Sequence, residues 1–344
     1  MKRIISVVII MLIAVTAIPS LAEPAPETEP GSGQLPVKVL LLPKFEIDKM
    51  AGDFPGEAQC YYEQYLNGAE EYDVPYGTSR LYYKDGIAMY VTGMGKINAA
   101  LSTMTVLSDS RFDFSEAYII STGCAGSAAG TTVMGDVFII TSAVDYDLGH
   151  HADGREIADP EGTTWFHDPD FDNAATACLD PDLMERVYAL VKDTPVRTTE
   201  RTHNFMQKAF DGADWAVRDP QVLRGTAVTG DNYWKGENGH ANALLMAETY
   251  HCPDPYAVTE MEDVAVARAA ERMGMLDRLI IIRDSVNMDV FMLGATPESL
   301  WGDAGAMQLA DEDSVEAADI FATAMTNNFD VGRIIIDKIL EGQF

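Results

Sequence analysis

Basic residues are scarce in this sequence. Its 344 residues include 24 Lys and Arg against 54 Asp and Glu, which gives a formal net charge of −30 at pH 7. A surface this acidic repels the phosphate backbone of nucleic acids, and it disfavours polyanionic ligands unless a local pocket is basic. We therefore expect no nucleic-acid partner.

Cysteine is also scarce. The four cysteines are Cys60, Cys124, Cys178 and Cys252, and none of them stand in C-x-x-C spacing. A zinc site is therefore not expected. An exported chain could form up to two disulfides from four thiols, but the sequence does not fix a pairing.

Long apolar runs are absent beyond the N-terminal stretch. That stretch carries Lys2 and Arg3, then an apolar run over residues 4–18, then small residues ending at Ala22. This pattern is typical of a secretory signal over residues 1–22, and the run is shorter than the ~20 residues that span a bilayer. We expect an exported, periplasmic or extracellular protein that does not itself span a membrane after cleavage. An uncleaved membrane anchor is the alternative.

Composition divides the remaining chain into a linker and one domain. Residues 23–36 are rich in Pro, Glu and Gly, which predicts a flexible linker. Residues 37–344 can bury roughly three-quarters of their unfolded surface in one core. A single domain over 37–344 is therefore expected.

Apolar patterning predicts an α/β fold for this domain. Continuous apolar runs at 38–42 and 279–282 predict buried strands. The sequence over 80–92, with Asp and Gly at its centre, predicts a hairpin. The tail over 313–344 shows two helical patterns, which we expect to cover one face of the sheet.

Three segments between Arg224 and Asp289 place polar side chains where apolar runs end. They are RGTAVTGDNYWKG, VTEMEDVAVARAAERMGM and RLIIIRDSVNMD. In an open α/β sheet, ligands bind at the carboxyl ends of the strands. The polar residues at these ends are Asp231 and Tyr233, Glu260 and Glu262, and Asp284 and Asn287, so the sequence predicts a ligand pocket there.

These segments resemble a known superfamily. GDNYWKG, EMEDVAVA and IIIRDSVNMD are similar to the purine-binding half of the nucleoside phosphorylases and methylthioadenosine nucleosidases. Within that superfamily, RDSVNMD and the opening KVLLLPKFEIDKM resemble the purine nucleoside permease family. The resemblance implies a three-layer αβα fold with a central mixed sheet and a purine nucleoside as ligand.

The resemblance also implies roles for individual residues. Glu262 would grip the 2′ and 3′ hydroxyls of the ribose, and Met261 would pack under the sugar. Tyr233 would stack on the base with Trp234 beside it, and Asn287 would contact the purine edge. Each residue has a structural alternative: a helix N-terminal carboxylate for Glu262, core packing for the two aromatics, and a turn residue for Asn287.

The catalytic groups implied by the resemblance are a carboxylate after the first strand and the residue at the purine edge. Glu46 and Asp48 are the candidates for a general acid, with Glu46 favoured; the alternative is that both are solvated loop carboxylates. Asn287 cannot deliver a proton, but it can donate a hydrogen bond to O6 or N7. This favours a 6-oxopurine nucleoside over adenosine.

Two glycine-containing segments bear on the nucleophile. GMGKINAA, with Gly95, and TGCAGS, with Thr122 and Cys124, resemble ligand-contacting turns of the superfamily. A thiol is a poor hydrogen-bond donor to phosphate, so Cys124 disfavours phosphorolysis, although Thr122 or Ser127 could substitute. Inorganic phosphate remains a possible co-substrate, and no other cofactor is expected.

The segment DYDLGHHADGREI is dense in polar side chains. His150 and His151, near Asp145, Asp147 and Asp153, are candidates for metal ligands. Adjacent histidines point in different directions on most backbones, so we expect no metal. In the relatives this region reaches a neighbouring subunit, which implies a possible homodimer.

Two functions are compatible with this pattern. The first is an exported enzyme that cleaves the N-glycosidic bond of purine nucleosides with phosphate or water. The second is a non-catalytic nucleoside-binding component of nucleoside uptake, as the family's name implies. A fold with no nucleoside affinity is the third, least specific possibility.

Overall fold

The structure is a computed structural model that describes residues 33–151, 165–295 and 314–344. The predicted signal over 1–22 and residues 23–32 of the predicted linker lie outside the described residues, and the linker's last two residues form β1. Gln34–Phe344 forms one compact unit. All four cysteines are free thiols.

The described residues alternate between strands and helices along the chain. The strands are β1 Leu35–Pro36, β2 Val39–Leu42, β3 Glu70–Asp73, β4 Arg80–Lys84, β5 Ile87–Tyr90, β6 Phe112–Asp113, β7 Tyr118–Ser127, β8 Val137–Asp145, β9 His150–His151, β10 Trp165–Phe166, β11 Thr176–Cys178, β12 Val222–Thr229, β13 Tyr256–Glu260 and β14 Leu279–Met288. The helices are α1 Gln59–Tyr61, continued by a π-helical turn over Tyr62–Leu66, α2 Lys96–Leu107, α3 Asp172–Ala175, α4 Pro181–Val191, α5 Glu200–Ala209, α6 Glu237–Thr249, α7 Asp263–Arg272 and α8 Ser314–Leu340, with short 3₁₀ turns at Pro169–Phe171, Asp214–Val217 and Leu276–Arg278.

The central sheet is mixed. Its strands run in the order β11-β8-β12-β13-β7-β2-β5-β4-β3, and β14 pairs with both β7 and β8. Pairs such as β2 with β7 and β12 with β13 are parallel, whereas β13 with β7 and β14 with β8 are antiparallel. Strands β8, β12, β13, β7 and β14 therefore form a closed ring, from which β2, β5, β4 and β3 extend.

Helices cover both faces of this sheet, because successive residues of a strand point to opposite faces. On β14, the Arg283 side chain reaches Asp263 of α7, whereas Asp284 accepts a hydrogen bond from Asn328 of α8. Helices α2 and α7 lie together on one face, and α4 and α8 lie together on the other. The predicted three-layer α/β architecture with a mixed sheet is confirmed.

Local signals in the sequence explain several element boundaries. The Lys84–Ile87 hairpin turns through Asp85 and Gly86, whose φ angles are 50° and 84°, as the predicted turn requires. Helix α4 begins where the Asp180 side chain accepts the Leu183 N–H at 2.7 Å. The tail differs from its prediction, since it forms one helix, α8, rather than two.

Candidate functional site

A cavity of about 170 Å³ opens where β2, β7, β13 and β14 reach their carboxyl ends. Its charged lining residues are Lys44, Glu57, Glu260, Glu262 and Arg283. Its aromatic and apolar lining includes Phe45, Met94, Tyr233, Trp234, Met261 and Val286. The three segments singled out in the sequence therefore meet at one cavity, as predicted for an α/β sheet.

Glu262 lies at the start of α7, where its side chain faces the cavity. Its two carboxylate oxygens accept hydrogen bonds from the Gly95 backbone N–H at 2.9 Å and from Arg283 at 3.1 Å. A carboxylate offers about four lone-pair sites, so two remain for further donors. Met261 lines the same cavity next to it. This arrangement can accept hydrogen bonds from two adjacent hydroxyl groups.

Arg283 forms ion pairs with three carboxylates at the cavity. Its guanidinium is 1% exposed and donates to Glu260 at 2.9 Å, to Glu262 at 3.1 Å and to Asp263 at 2.7 Å. A fourth hydrogen bond reaches the Cys124 carbonyl at 2.9 Å. Buried charges require such pairing, because an unpaired buried charge is strongly destabilising. Arg283 therefore fixes Glu262 in position.

Glu260 caps α7 and was not singled out as a site residue from the sequence. Its carboxylate accepts the backbone N–H groups of Glu262 and Asp263 at 2.6 and 2.8 Å, together with the Thr229 hydroxyl. Burial, followed by the nearby Asp263 carboxylate, raises the pKa of Glu260 to about 8 despite Arg283. Burial therefore makes the charged form of Glu260 less favourable than it is in water, while four donors, including Arg283, contact its oxygens.

Glu57 is a further carboxylate that lines the cavity. Its oxygens accept the backbone N–H groups of Lys44 at 2.7 Å and Cys124 at 2.8 Å. Burial raises its pKa, and the charges of Arg283 and Lys44 oppose that rise. Gly123 permits this approach, because a Cβ at that position would lie 2.5 Å from a Glu57 oxygen.

Glu46 and Asp48, the predicted general acids, lie outside the cavity. The Glu46 carboxylate accepts hydrogen bonds from the backbone N–H groups of Ile47, Gly56, Ala58 and Gln59. It therefore holds the loop that leads into α1. Asp48 is exposed, with a φ of 56°. In place of either residue, the structure brings Glu57 to the cavity.

The cavity is also lined by Tyr233, Trp234 and Asn287. The Asn287 amide lies 3.4 Å from the Tyr233 hydroxyl, and Trp234 stacks on Tyr146 with centroids 5.2 Å apart. Asn287 follows a bulge in β14, where the pairing with β7 shifts register, and such bulges re-aim side chains. The structure therefore brings together the residues predicted to frame a flat ring.

Gly95, Thr122 and Cys124 occupy three different positions relative to the cavity. Gly95, with a φ of 88°, supports Glu262 through its N–H. Cys124 lines the cavity, and burial raises the pKa of its thiol well above its usual range. Thr122 lies deeper, where its hydroxyl donates to the Asn328 side chain at 2.5 Å. Thr122 is therefore part of the core rather than of the cavity wall.

A second cavity of about 520 Å³ shares Asn232 and Trp234 with the first. His150 and His167 line it. Among the described residues, no group of three or more His, Cys, Asp or Glu side chains is arranged to hold a metal ion. Asp153, one of the predicted candidates, lies outside the described residues.

Two lysines near the site, Lys96 and Lys44, form ion pairs or hydrogen bonds with protein groups. The Lys96 ammonium lies 2.6 Å from Asp145 and 2.8 Å from Asp147. The Lys44 ammonium is buried and donates to the Leu42 carbonyl at 2.5 Å and the Ser121 hydroxyl at 2.7 Å. Burial, followed by the Arg283 charge, lowers the pKa of Lys44.

The sequence carried a signal for Arg283 but a weak one for Glu57. An arginine at the end of an apolar strand indicates buried carboxylates nearby, because buried charges are paired. Glu57 lies in a polar and aromatic stretch after β2, one of several carboxylates there. Only the tertiary path of that loop selects it.

Solved structures with the same fold are nucleosidases and related hydrolases. The 5′-methylthioadenosine/S-adenosylhomocysteine nucleosidase of Helicobacter pylori aligns with 88% of this chain and 100% of its own, at 13% identity and a TM-score of 0.54. A futalosine hydrolase mutant of the same organism aligns with 88% of this chain and 99% of its own, at 14% identity and a TM-score of 0.54. The protein therefore has the fold of the nucleoside phosphorylase and nucleosidase class.

The family follows from sequence comparison. A family model described as Purine nucleoside permease matches residues 36–343, so the chain belongs to the purine nucleoside permease family. A probable purine nucleoside permease of Schizosaccharomyces pombe is 26% identical over 62% of this chain and 69% of its own. A methylthioadenosine/S-adenosylhomocysteine nucleosidase of a Geobacillus species is 37% identical over 60% of this chain and 70% of its own. The family resemblance predicted from the sequence is confirmed.

The name of the family raises the question of membrane spans. None of the helices formed by residues 33–151, 165–295 and 314–344 combines the length and the apolarity needed to cross a bilayer.

Proposed function

We propose that this protein binds purine nucleosides and hydrolyses their N-glycosidic bond. The observation that carries the proposal is the pairing, in one cavity, of Glu57 with the Glu262, Tyr233 and Asn287 group. Glu262 accepts the ribose hydroxyls, Met261 packs under the sugar, and Tyr233 and Trp234 flank the base. The family and the nucleosidase relatives support this choice of ligand.

Glu57 acts as the general base in this proposal. The oxygen of a water molecule attacks the anomeric carbon as the bond to the purine nitrogen breaks, and the water proton passes to Glu57. The bonding electrons leave with the purine, which takes a proton from solvent and becomes the free base, and Glu57 then returns the water proton to solvent. Burial raises the pKa of Glu57 and so makes it a stronger base than an exposed glutamate, which suits this role.

Water is favoured over phosphate as the nucleophile. Glu57, Glu260 and Glu262 line the cavity, and its two cationic side chains, Lys44 and Arg283, already have buried hydrogen-bond partners. A phosphate dianion would enter a region rich in carboxylates, which repel it. Inorganic phosphate is therefore not proposed as a co-substrate.

Asn287 favours a 6-oxopurine base and also supports the competing function. Its amide can donate a hydrogen bond to O6 or N7 of inosine or guanosine, but it cannot transfer a proton to the leaving base. A site without an acid at the base fits a protein that binds nucleosides for uptake without cleaving them. That non-catalytic binding component is the second candidate.

Release of free base from inosine tests these functions. We expect the wild type to release hypoxanthine without phosphate, and Glu57→Gln to lose roughly 10²–10⁴-fold of that rate while still binding inosine. Asp48→Asn, which changes an exposed carboxylate outside the cavity, is the matched control and should retain the rate.

The other outcomes of this assay identify the alternatives. Release only in the presence of phosphate would establish phosphorolysis. Binding of inosine without release would establish the non-catalytic component, and tighter binding of adenosine than of inosine would contradict the 6-oxopurine preference.

We further propose that the protein is exported and forms a homodimer. Export rests on the signal pattern over residues 1–22, and N-terminal sequencing of the secreted chain would test it. The homodimer is supported by apolar side chains that α2 exposes beside the cavity, and its test is given in the Discussion.

A further inference from the structure

Asp289 is a buried carboxylate just beyond β14, two residues after Asn287. Its oxygens accept hydrogen bonds from the Ala129 backbone N–H at 3.0 Å and the Tyr256 hydroxyl at 2.8 Å, and one oxygen lies 2.7 Å from Nδ1 of His240. The proposed reaction assigns no role to Asp289 or His240, although both lie beside residues that frame the base.

Asp289 also holds the loop that carries the two aromatic residues of the site. Its backbone carbonyl accepts the Gly236 N–H at 2.7 Å, and Gly236 closes the loop that begins after β12 and contains Tyr233 and Trp234. His240 lies in the first turn of α6, the helix that follows this loop. One residue therefore fastens the loop through Gly236 and the following helix through His240.

The start of the same loop is held by other contacts, which do not involve Asp289. The Asp231 side chain accepts the Lys96 backbone N–H at 2.8 Å, and the Asp231 N–H donates to Asp147 at 2.9 Å. These contacts do not include a histidine, whereas the Asp289–His240 pair does and can change charge near neutral pH.

We propose that Asp289 and His240 are positioning residues that hold the Tyr233–Trp234 loop against the bound base, most firmly when the imidazole is charged. The ligand in this inference rests on the proposed function, whereas the contact between the pair and the loop does not.

The groups that face His240 determine its response to pH. The Asp289 carboxylate comes from the end of β14, the Tyr256 ring from β13 with its centroid 5.9 Å away, and the Glu237 carboxylate from the same helix. The hydrogen bond with Asp289 raises the pKa of His240, and partial burial opposes this. Tyr256 is buried with its own pKa raised well above the usual range, so it stays neutral.

The sign of the effect follows from this raised pKa. The held loop binds the His240 proton more tightly than a released loop would. The hold is therefore complete below the ordinary pKa of histidine, about 6.5, and weakens as the pH rises through the raised pKa. It does not vanish, because a neutral imidazole can still donate one hydrogen bond from Nδ1.

Two histidine variants and two measurements test the proposal. His240→Asn places an amide donor near the position of Nδ1 but cannot titrate. His203→Asn is the matched control, since His203 forms a surface pair with Asp219 at 3.0 Å, away from the cavity. The measurements are inosine affinity and the tryptophan fluorescence attributable to Trp234, obtained by subtracting a Trp234→Phe variant, from about pH 5.5 to pH 9.

For the wild type and His203→Asn, we expect inosine affinity to fall severalfold, and at most about tenfold per unit of pKa difference, as the pH rises. His240→Asn should lose the part of this fall that the imidazole causes, and any dependence that comes from cavity carboxyl groups such as Glu260 should remain. A pH profile in His240→Asn that is identical to that of the wild type would overturn the proposal.

The fluorescence measurement separates this inference from the proposed function. If no variant binds inosine, the proposed function fails, but the Trp234 signal still reports on the loop. A pH-dependent Trp234 signal that disappears in His240→Asn supports the positioning pair. A signal that is independent of pH, or unchanged by that substitution, overturns it.

Discussion

Glu262 shows how one side chain can be structural and functional at the same time. It accepts hydrogen bonds from Gly95 and Arg283 and still lines the cavity. These two hydrogen bonds fix the rotamer of Glu262 without using all of its lone pairs. A pre-positioned carboxylate loses little entropy when it binds a sugar diol, which favours affinity.

Replacing Glu262 with Gln should weaken inosine binding by about ten- to a hundredfold. Hydrogen bonds to a charged group are worth roughly 1.5–3 kcal/mol, and one of the two acceptor oxygens becomes a donor. A 2′,3′-dideoxy analogue lacks both hydroxyls, so its affinity should change much less. Isothermal titration of both ligands measures this difference.

Glu248→Gln, which alters an exposed residue of α6, is the control for the loss of one negative charge. Equal losses of affinity for inosine and for the dideoxy analogue would mean that Glu262 does not contact the diol.

The apolar pattern placed Tyr233, Glu262 and Asn287 at strand ends, which converge in an α/β sheet. The pattern placed other polar residues there as well, and the family resemblance selected these three. Glu57 could not be selected in this way. Glu57 reaches the cavity through a loop whose path depends on Glu46. The Glu46 carboxylate accepts hydrogen bonds from four backbone N–H groups, two before Glu57 in the sequence and two after it.

At the scale of single elements, α2 is unusual in its outward face. Ile97 and Leu101 are 71% and 63% exposed, and Met94, just before the helix, is 59% exposed and also lines the cavity. Lys96 is paired with Asp145, so this strip presents apolar surface on a strongly acidic chain. Exposed apolar surface of this kind marks interaction sites, and a second copy of the chain could dock there without bringing charges together.

We expect the protein to be a dimer in solution and Leu101→Glu to reduce it to a monomer. A carboxylate on the strip would have to lose its hydration in the interface. Light scattering coupled to size-exclusion chromatography measures the mass. Leu244→Glu, at a 46% exposed leucine of α6, should remain dimeric, and a wild type of monomeric mass would refute the proposal.

The elements differ in how far local sequence predicts them. The hairpin between β4 and β5 is encoded by Asp85 and Gly86, whose backbone angles a tight turn needs. The antiparallel pairing of β14 with β8 joins residues such as Ile282 and Ile139, which are distant in sequence and share no local signal. The closed ring of strands was therefore beyond prediction from patterning alone.

At the scale of the whole molecule, buried acids give the native state extra protons. Burial raises the pKa values of Glu57, Glu260 and Asp284. Between the ordinary carboxyl range near pH 4.5 and about pH 8, the value for Glu260, the native protein therefore binds more protons than the unfolded chain. Stability falls with pH wherever the native state binds more protons.

The free energy of unfolding should therefore decrease from about pH 5 to pH 8, by on the order of 1 kcal/mol for each pH unit and each carboxyl group that remains protonated only in the native state. Urea unfolding at several pH values measures this slope. Asp284→Asn mimics the protonated side chain and should flatten it.

Asp48→Asn is the control, since it removes one exposed charge from a chain of −30. General repulsion between surface charges also weakens as the pH falls. If both variants flattened the slope equally, this repulsion rather than the buried acids would explain it.

The close contact between Gly123 and Glu57 means that a larger side chain at position 123 would disturb the Glu57 carboxylate. A Cβ at position 123 would lie 2.5 Å from a Glu57 carboxylate oxygen. Even alanine would therefore displace that oxygen from its present position. Glu262 is held by the Gly95 N–H and by Arg283 rather than by Gly123, so we expect it to keep its ligand contacts. On the proposed chemistry, a single methyl group is enough to turn a hydrolase into a nucleoside receptor.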